Sequence, residues 1–533
     1  MQIVYRNQYF NRNKLDSWLD NTLDLSSIKS IAVIMNRSPE LIWLLYKAYC
    51  LGVTFIPIDP KENKEKINYI LDQTQPDVVI CNDKKYEYKK KHSHNYDNVA
   101  YVLYTSGTTG GAKGVMVKRN SLDNFISGVS ELIEFNELKK IASFTSVSFD
   151  IFLLESIMAI SKNMTIILAD DIEQNNPRAI TRLLLENKVD IVQLTPSRLQ
   201  MLLNYDPELK GLETIKDVLI GGEALSINLL TVLQQKTSAR IFNMYGPTET
   251  TIWSTIAELT DSDSVNIGYP IKNTEIFIVD NELNILPTGA RGEICIAGEG
   301  LAQGYLNNDK LTSEKFVLLP TKGIKVYKTG DYGKKRNDGV LEWCGRIDNQ
   351  IKLRGHRIEL EEIESTINQY EGIIQSIVGV HDNEDYVQEL YAFYSSNKNI
   401  DMSEMRKYLE EKLPDYMVPN KIEGVDCFKQ NINGKIDRQY YASLFNEKNK
   451  SLSSDCIIDN RVLQIIKENS SSNETNIDFN SSFKDIGYDS ISFIKTIIAL
   501  EYEFNFEFED AFLLLSNYRT IGDMVKYVND RLH

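Results

Sequence analysis

The stretch YTSGTTGGAKGV, residues 104–115, gathers hydroxyls, glycines and a single lysine in one short run. Those residue types suit phosphate. Glycine lets backbone N–H groups approach a ligand closely, and a nest of such groups binds anions. Thr105, Ser106, Thr108 and Thr109 add hydroxyl donors, Gly107 and Gly110 keep the backbone open, and Lys113 brings a cation. The run is not a Walker P-loop. Counting from Gly107, the sixth position is Ala112 rather than Gly, and Lys113 is followed by Gly114, which has no hydroxyl for a metal. It directly follows the apolar pattern VAYVLYT, which a flexible surface linker rarely does.

A second candidate lies near the other end. In GYDSISF, Ser490 stands where a loop containing Gly487 turns into an amphipathic helix. A helix N-terminus carries free N–H groups and favours a nearby phosphate. The same position also suits a helix cap, with Asp489 or Ser490 supplying the side chain.

The elements that must hold these residues are legible in outline. The 533 residues are 42% hydrophobic and 25% charged, as in a packed globular chain of two to four domains. A formal charge of -16 argues against a nucleic-acid binder that neutralises phosphates. MQIVYRNQYFNRNK has no apolar core of signal-peptide length, and no run of 18 apolar residues marks a membrane span. The six cysteines are scattered without C-x-x-C, and the five histidines show no ligand spacing, so reduced thiols, a cytoplasmic location and no zinc site are expected.

Over the first 260 or so residues short apolar strands alternate with helical patterns: SIAVIM, PELIWLLYKAYC, VTFIPI, KEKINYILDQ, DVVICN, then VDIVQLTP, KDVLIGG and ARIFNMYG. That alternation predicts an α/β body with layered, mostly parallel sheets. From about Val265 strands shorten and turns multiply. The expected organisation is a large body over 1–347, a small α+β segment over 348–445, a polar linker over 446–457 and an all-α bundle over 458–533.

Taken in order, YTSGTTGGAKGV, FIPIDPKENKEKINYIL, FTSVSFDIFLLE, NMYGPTET, GEICIAGEGLAQGYL, YKTGDYG, GRIDNQIKLRGHRIELEEIE, LPDYMVP and NGKIDR resemble the core motifs of the adenylation domains of nonribosomal peptide synthetases, members of the adenylate-forming enzymes. SFKDIGYDSISFI resembles the attachment site of a peptidyl carrier protein. The resemblance covers roughly residues 30–530 and includes no condensation or thioesterase segment. It departs from the family at Ala112, where Pro is usual, and in a short N-terminal leader.

The resemblance implies a two-step ligase that uses ATP, Mg2+ and 4'-phosphopantetheine. The phosphate loop Thr105, Ser106, Gly107, Thr108, Thr109 and Gly110, with Lys113, would hold the departing pyrophosphate. Asn243, Tyr245, Gly246 and Thr248 would line the nucleotide site, with Tyr245 stacked on adenine. Glu249 would hold Mg2+, a hard cation that takes oxygen ligands. Asp331 would accept from the ribose hydroxyls, with Arg346 nearby. Lys435 would bridge the substrate carboxylate and the α-phosphate as a mobile point charge. Asp348 would be the hinge of the small segment, Lys352 would face the site in the second step, and Ser490 would carry the phosphopantetheine.

The same carry-over gives a substrate pocket of Asp150, Ile151, Leu154, Gln193, Leu219, Gly221, Met244, Ile252, Trp253 and Lys435. Asp150 matches the family's anchor for an α-ammonium, which selects amino acids over aryl or fatty acids. The remaining set looks like the family's glycine-type code. Bulky apolar groups around one cavity choose glycine by overlap with anything larger. One methyl group is worth about 1–3 kcal/mol of discrimination, so some activation of alanine is expected. Implied partners are the amino acid, a phosphopantetheinyl transferase, a downstream condensation or acyl-transfer enzyme and a small helper protein; nucleic acid and membrane are not expected. The competing readings are an acyl- or aryl-CoA ligase, against which Asp150 and Ser490 stand, and a catalytically inactive binding paralogue.

Overall fold

SIAVI (Ser30–Ile34) and TFIPI (Thr54–Ile58) are buried at every position. Near-continuous apolar runs of this kind suit central strands covered on both faces. In the computed structural model they sit at the centre of a seven-stranded sheet. Its spatial order is Gly304–Tyr305, Lys113–Lys118, Val99–Thr105, Thr54–Ile58, Ser30–Ile34, Val78–Cys81 and Lys84–Glu87. The structure describes residues 1–82, 84–87, 94, 96–105, 112–171, 173–347, 350–353, 356–382, 388–396, 398, 400–425, 428–429, 436, 438, 440–442, 444, 461–467, 479, 481–483, 490–504, 506, 508, 518 and 520–532.

A nine-stranded sheet carries Tyr269–Pro270, Thr255–Glu258, Arg240–Tyr245, Asp217–Gly221, Ile191–Leu194, Lys140–Ser143, Thr165–Leu168, Gln2–Tyr5 and Gln8–Asn11 in that order. Both sheets are parallel at the centre and antiparallel at the edges. The edge pairing follows from loop length. Residues 106–112, between Val99–Thr105 and Lys113–Lys118, are too few for a parallel crossover, which takes about a dozen residues or more. A third, five-stranded sheet built on Thr274–Val279, Gly292–Gly298 and Ile324–Lys335 is wholly antiparallel, so within the body the expected parallel character belongs to the first two sheets. It corresponds to the turn-rich region after Val265.

One continuous core lies between the two large sheets. It joins Val33, Phe55, Tyr101 and Val115 of one to Ile141, Ile166, Leu219 and Met244 of the other. Leu41, Leu44, Phe152 and Leu154 fill the space between. The helix Pro39–Cys50 enters this core on a well-formed start: Ser38 accepts from Leu41 N at 3.1 Å and Pro39 takes the first helical position.

By its contacts the chain forms two compact units, Met1–Phe428 and Lys429–His533. The sequence-based boundary at 347/348 falls inside the first. After it come the hairpin Gln350–Leu353 with His356–Glu359, the helices Leu360–Asn368 and Met402–Lys412, and a three-stranded sheet of Ile373–Asp382, Gln388–Ser396 and Lys421–Gly424. These elements share their own core, including Ile358, Ile363, Leu390 and Leu409. Described elements of the second unit include the helices Ser490–Phe504 and Ile521–Leu532 and a helical turn over 461–467. Val462, Ile466, Phe493, Leu500, Met524 and Val528 make its core, and Arg461 pairs with Glu503 at 2.6 Å.

Candidate active site

The strand Lys140–Ser143 leads through a short loop to Asp150, which precedes the helical turn Ile151–Leu153. Asp150 is buried and its side chain makes no cap hydrogen bond. A π-helical turn, Leu154–Met158, follows at once, a feature frequent at functional sites. Asp150 and Ile151 open into a cavity of about 330 Å³. Tyr104, Thr105, Gly246, Pro247, Thr248 and Trp253 also line it, and His356, Tyr416 and Met417 close it from the small segment. The Oγ1 of Thr105 is buried without a hydrogen-bond partner among the described residues, which suits a substrate oxygen arriving there.

The floor of this site depends on one strained turn. Thr251 and Ile252 both take positive φ, +66° and +65°. For a β-branched residue that is a rare conformation, and strain of this kind concentrates at functional sites. The turn brings Trp253 back against Gly221, which pairs in register with Met244 on the neighbouring strand. Gly246 is required by the same turn, since a Cβ there would stand 2.7 Å from Ile252 O and Ser254 N. Ile151, Leu154, Leu219, Met244, Ile252 and Trp253 belong to one contiguous buried cluster. Gln193 lies on the next strand, paired with Leu219, and donates to Leu194 O at 3.0 Å.

A second, larger cavity of about 1020 Å³ is lined by Gly222, Glu223, Ala224, Asn243, Met244, Tyr245, Asp331, Trp343 and Arg346. Asp331 accepts from Tyr245 Oη at 2.7 Å, from Trp343 Nε1 at 3.1 Å and from Arg346 Nη1 at 3.1 Å. Burial first, and the Asp331 charge second, push the Tyr245 phenol well above its ordinary range, so it stays a donor. A carboxylate offers about four acceptor sites, so a ligand with two vicinal hydroxyls would displace one of these three donors. Asn243 is held from behind, donating to Asn266 O at 2.7 Å.

Glu249 is fully buried on the turn Thr248–Thr250, and its Oε1 accepts from Tyr305 Oη at 2.7 Å. The ammonium of Lys113 lies 5.8 Å from the centre of the Tyr305 ring and 3.6 Å from Glu359 Oε1 of the small segment. Among the described residues no cluster of three or more potential ligands could hold a metal unaided. One oriented carboxylate fits Mg2+ that arrives with most of its ligands already supplied by phosphates and water.

His356 stacks on Tyr416 with ring centres 3.5 Å apart and meets Phe149, the residue before Asp150, edge-on at 4.7 Å. Lys412 pairs with Glu65 at 3.5 Å across the same mouth. Lys352 lies in the strand Gln350–Leu353, and Ser490 is the first residue of its helix. Ser106, Gly107, Thr108, Thr109, Gly110, Asp348 and Lys435 lie outside the described residues, as does the linker 446–457.

Sequence reasoning did not single out Tyr305, Trp343, His356, Tyr416 or the run Gly222, Glu223 and Ala224. The last had a signal, the Gly221-Gly222 pair at the end of the strand Asp217–Gly221, placed to let a ligand approach backbone. Tyr305, His356 and Tyr416 lie inside quoted motifs but had no signal for these contacts, and Trp343 lies outside them.

Comparison with known proteins agrees with this arrangement. A family model described as AMP-binding enzyme matches residues 84–306, and one described as phosphopantetheine attachment site matches residues 460–528. Zwittermicin A synthase ZmaJ of Bacillus cereus is 35% identical over 453 residues, covering 78% of this chain and 86% of that protein. Gramicidin S synthase 1 of Brevibacillus brevis is 33% identical over 546 residues, covering 94% of this chain and 47% of that protein. The chain spans only 18% to 48% of the length of the first curated relatives it matches. In fold, it is similar to a nonribosomal peptide synthetase protein containing adenylation and PCP domains, solved in its holo form with a vinylsulfonamide inhibitor. The TM-score is 0.75 at 23% identity, over 99% of this chain and 93% of that one.

Two layered sheets with a nucleotide-sized cleft, followed by a phosphopantetheine attachment module, define an adenylate-forming ligase joined to a carrier. The chain belongs to the nonribosomal peptide synthetases as an adenylation–thiolation protein: an amino-acid adenylating ligase that uses ATP and carries a phosphopantetheine attachment site. Among the described residues no helix is long and apolar enough to cross a membrane.

Proposed function

We propose that this chain activates glycine, with alanine as a weaker substrate, and loads it on its own carrier segment. The observation that carries the choice is the contact of Gly221 with Trp253, which lines the same cavity as Asp150, so that the indole takes up room a substrate side chain would need. Exclusion by overlap is the way a site selects an acid that offers nothing to grip. A solved four-domain nonribosomal peptide synthetase, 25% identical with a TM-score of 0.59 over 99% of this chain and 41% of that one, was crystallised bound to AMP and glycine; that supports the reading.

In the first step the substrate carboxylate attacks the α-phosphorus of ATP and pyrophosphate leaves. Asp150 holds the α-ammonium, Asp331 and Tyr245 hold the nucleoside, and the loop from Thr105 to Gly110 with Lys113 holds the phosphates. Glu249 would hold Mg2+, which supplies charge neutralisation at the phosphates. Lys435 bridges carboxylate and α-phosphate. In the second step the acyl group leaves AMP; Ser490 would hold 4'-phosphopantetheine, which would supply the accepting thiol. Asp348 is the hinge between steps, and Lys352 faces the site in the second. The boundaries 1–347, 348–445 and 458–533 are the proposed modules. A phosphopantetheinyl transferase primes the carrier, a downstream condensation or acyl-transfer enzyme takes the product, and the whole works in the cytoplasm.

The test is amino-acid-dependent ATP–pyrophosphate exchange across the twenty standard amino acids, with benzoate and a fatty acid alongside. Glycine dominant with alanine trailing is expected. A larger amino acid in first place overturns the pocket assignment; a response to the non-amino acids alone overturns the role of Asp150.

A further inference from the structure

The strand end from which the Asp150 loop departs is gripped by charged side chains. Glu155 is fully buried; its Oε2 accepts from Phe144 N at 3.1 Å and Thr145 N at 3.0 Å, and its Oε1 from Thr145 Oγ1 at 2.6 Å. Arg37 is also buried and donates to Ser143 O at 2.8 Å, Ser143 Oγ at 3.2 Å, Ala169 O at 3.0 Å and to Thr145 O. Arg198 donates to Phe144 O at 3.2 Å and lies over the Phe144 ring, 4.8 Å from its centre. Three successive carbonyls and two successive amides are thus held by three ionisable side chains drawn from distant parts of the chain.

Such a cluster is a poor way to gain stability. Apolar residues of the same volume often serve as well or better, because buried charges must be desolvated. Burial holds the Arg37 guanidinium down to about 10 and pushes the Glu155 carboxyl up, the signs of that penalty. What the charges do supply is fixed geometry. Glu155 sits on the π-helical turn just after Asp150, while the groups it binds, on Phe144 and Thr145, open the loop that follows the strand. The loop is therefore closed at both ends, and Ser146 anchors its middle by donating to Asp59 at 2.8 Å.

We propose that Glu155, braced by Arg37 and Arg198, is a positioning residue for Asp150: it fixes the loop over residues 143–150 so that the Asp150 carboxylate meets the substrate ammonium, and so sets amino-acid affinity without touching the substrate. This inference rests on the reading of Asp150 as the ammonium anchor.

The experiment is pyrophosphate exchange with the full chain, varying glycine and ATP separately, for Thr145→Val, Glu155→Gln and Asp150→Asn. Thr145→Val removes one hydrogen bond to Glu155 and keeps the cluster's charge, so it serves even if Glu155→Gln fails to fold. The expected result is a glycine KM raised on the order of tenfold in Thr145→Val, and further in Glu155→Gln, with ATP KM and kcat held within about twofold. An unchanged glycine KM in Thr145→Val, or glycine and ATP KM rising together, overturns the proposal. Glycine affinity unchanged in Asp150→Asn overturns the ammonium reading instead, and the proposal with it.

Discussion

Gly221 lies against the indole of Trp253: a Cβ placed on it would stand 2.7 Å from Trp253 Cη2 and 2.6 Å from Met244 O. Backbone and a fully buried ring cannot both give way, so Gly221→Ala overpacks the floor, a change that typically costs about 1–3 kcal/mol. Glycine-dependent exchange should fall with it. Trp253→Leu acts in the opposite sense. It deepens the cavity above Gly221, and exchange with alanine, valine or leucine should rise relative to glycine. If the ranking of amino acids stays as in the parent chain, Trp253 does not set the pocket depth.

Much of this was legible in the sequence, and the gaps have a common cause. PELIWLLYKAYC becomes the helix Pro39–Cys50 because a serine cap, a proline at the first turn and an apolar face all agree. Gly221 and Trp253 both stood in the pocket set. Their contact was not legible, because it depends on Thr251 and Ile252 in left-handed backbone that a β-branched residue disfavours. Tyr305 and Trp343 were silent for a related reason. Each acts by a tertiary hydrogen bond, to Glu249 and Asp331, between residues with no periodic or spacing relation.

The Tyr245–Asp331 bond gives a second expectation. Tyr245→Phe keeps the ring and removes one donor from the carboxylate, a loss of about 1.5–3 kcal/mol for a bond to a charged group. Trp343 and Arg346 still hold Asp331, so the chain should fold. The ATP KM should change while the amino-acid KM stays put: a rise of about tenfold means that Tyr245 holds Asp331 in the loaded site, and a fall means that Tyr245 is the donor the ribose displaces. Equal rises in both would place Tyr245 in the scaffold and not in the nucleotide site.

Lys113 and Glu359 join the strand after the phosphate loop to the small segment, 3.6 Å apart and both buried. Removing one partner of such a pair strands the other charge and costs about 3–5 kcal/mol, more than removing both. Glu359→Gln should therefore lower the melting temperature more than the double variant Lys113→Met with Glu359→Gln. Additive losses in that cycle, read by thermal unfolding, would show that the pair does not couple the two segments.

Cys295 offers a pH test. Burial pushes its thiol up from the ordinary 9.0 to about 12. The folded chain then keeps a proton that the unfolded chain releases, so this group's contribution to stability is full below pH 9 and declines as pH rises above it. Chemical labelling reports the same asymmetry. At pH 8 iodoacetamide should modify exposed Cys50 while Cys295 resists until the protein unfolds. Early labelling of Cys295 would mean that the antiparallel sheet opens locally.

Ser490 opens a 15-residue helix, Ser490–Phe504, within the segment matched as a phosphopantetheine attachment site. The first turn of a helix has backbone N–H groups with no partner inside the helix, and they favour a phosphodiester beside them. Under the proposed attachment at Ser490, its hydroxyl would be the nucleophile for priming and those N–H groups would accommodate the added phosphate. Incubated with coenzyme A and a phosphopantetheinyl transferase, the parent chain should gain the mass of one 4'-phosphopantetheine, and Ser490→Ala should gain none. The variant should still catalyse glycine-dependent pyrophosphate exchange, because that step precedes the thiol. Mass gain in Ser490→Ala would move the attachment to another serine, with Ser492 the nearest in sequence.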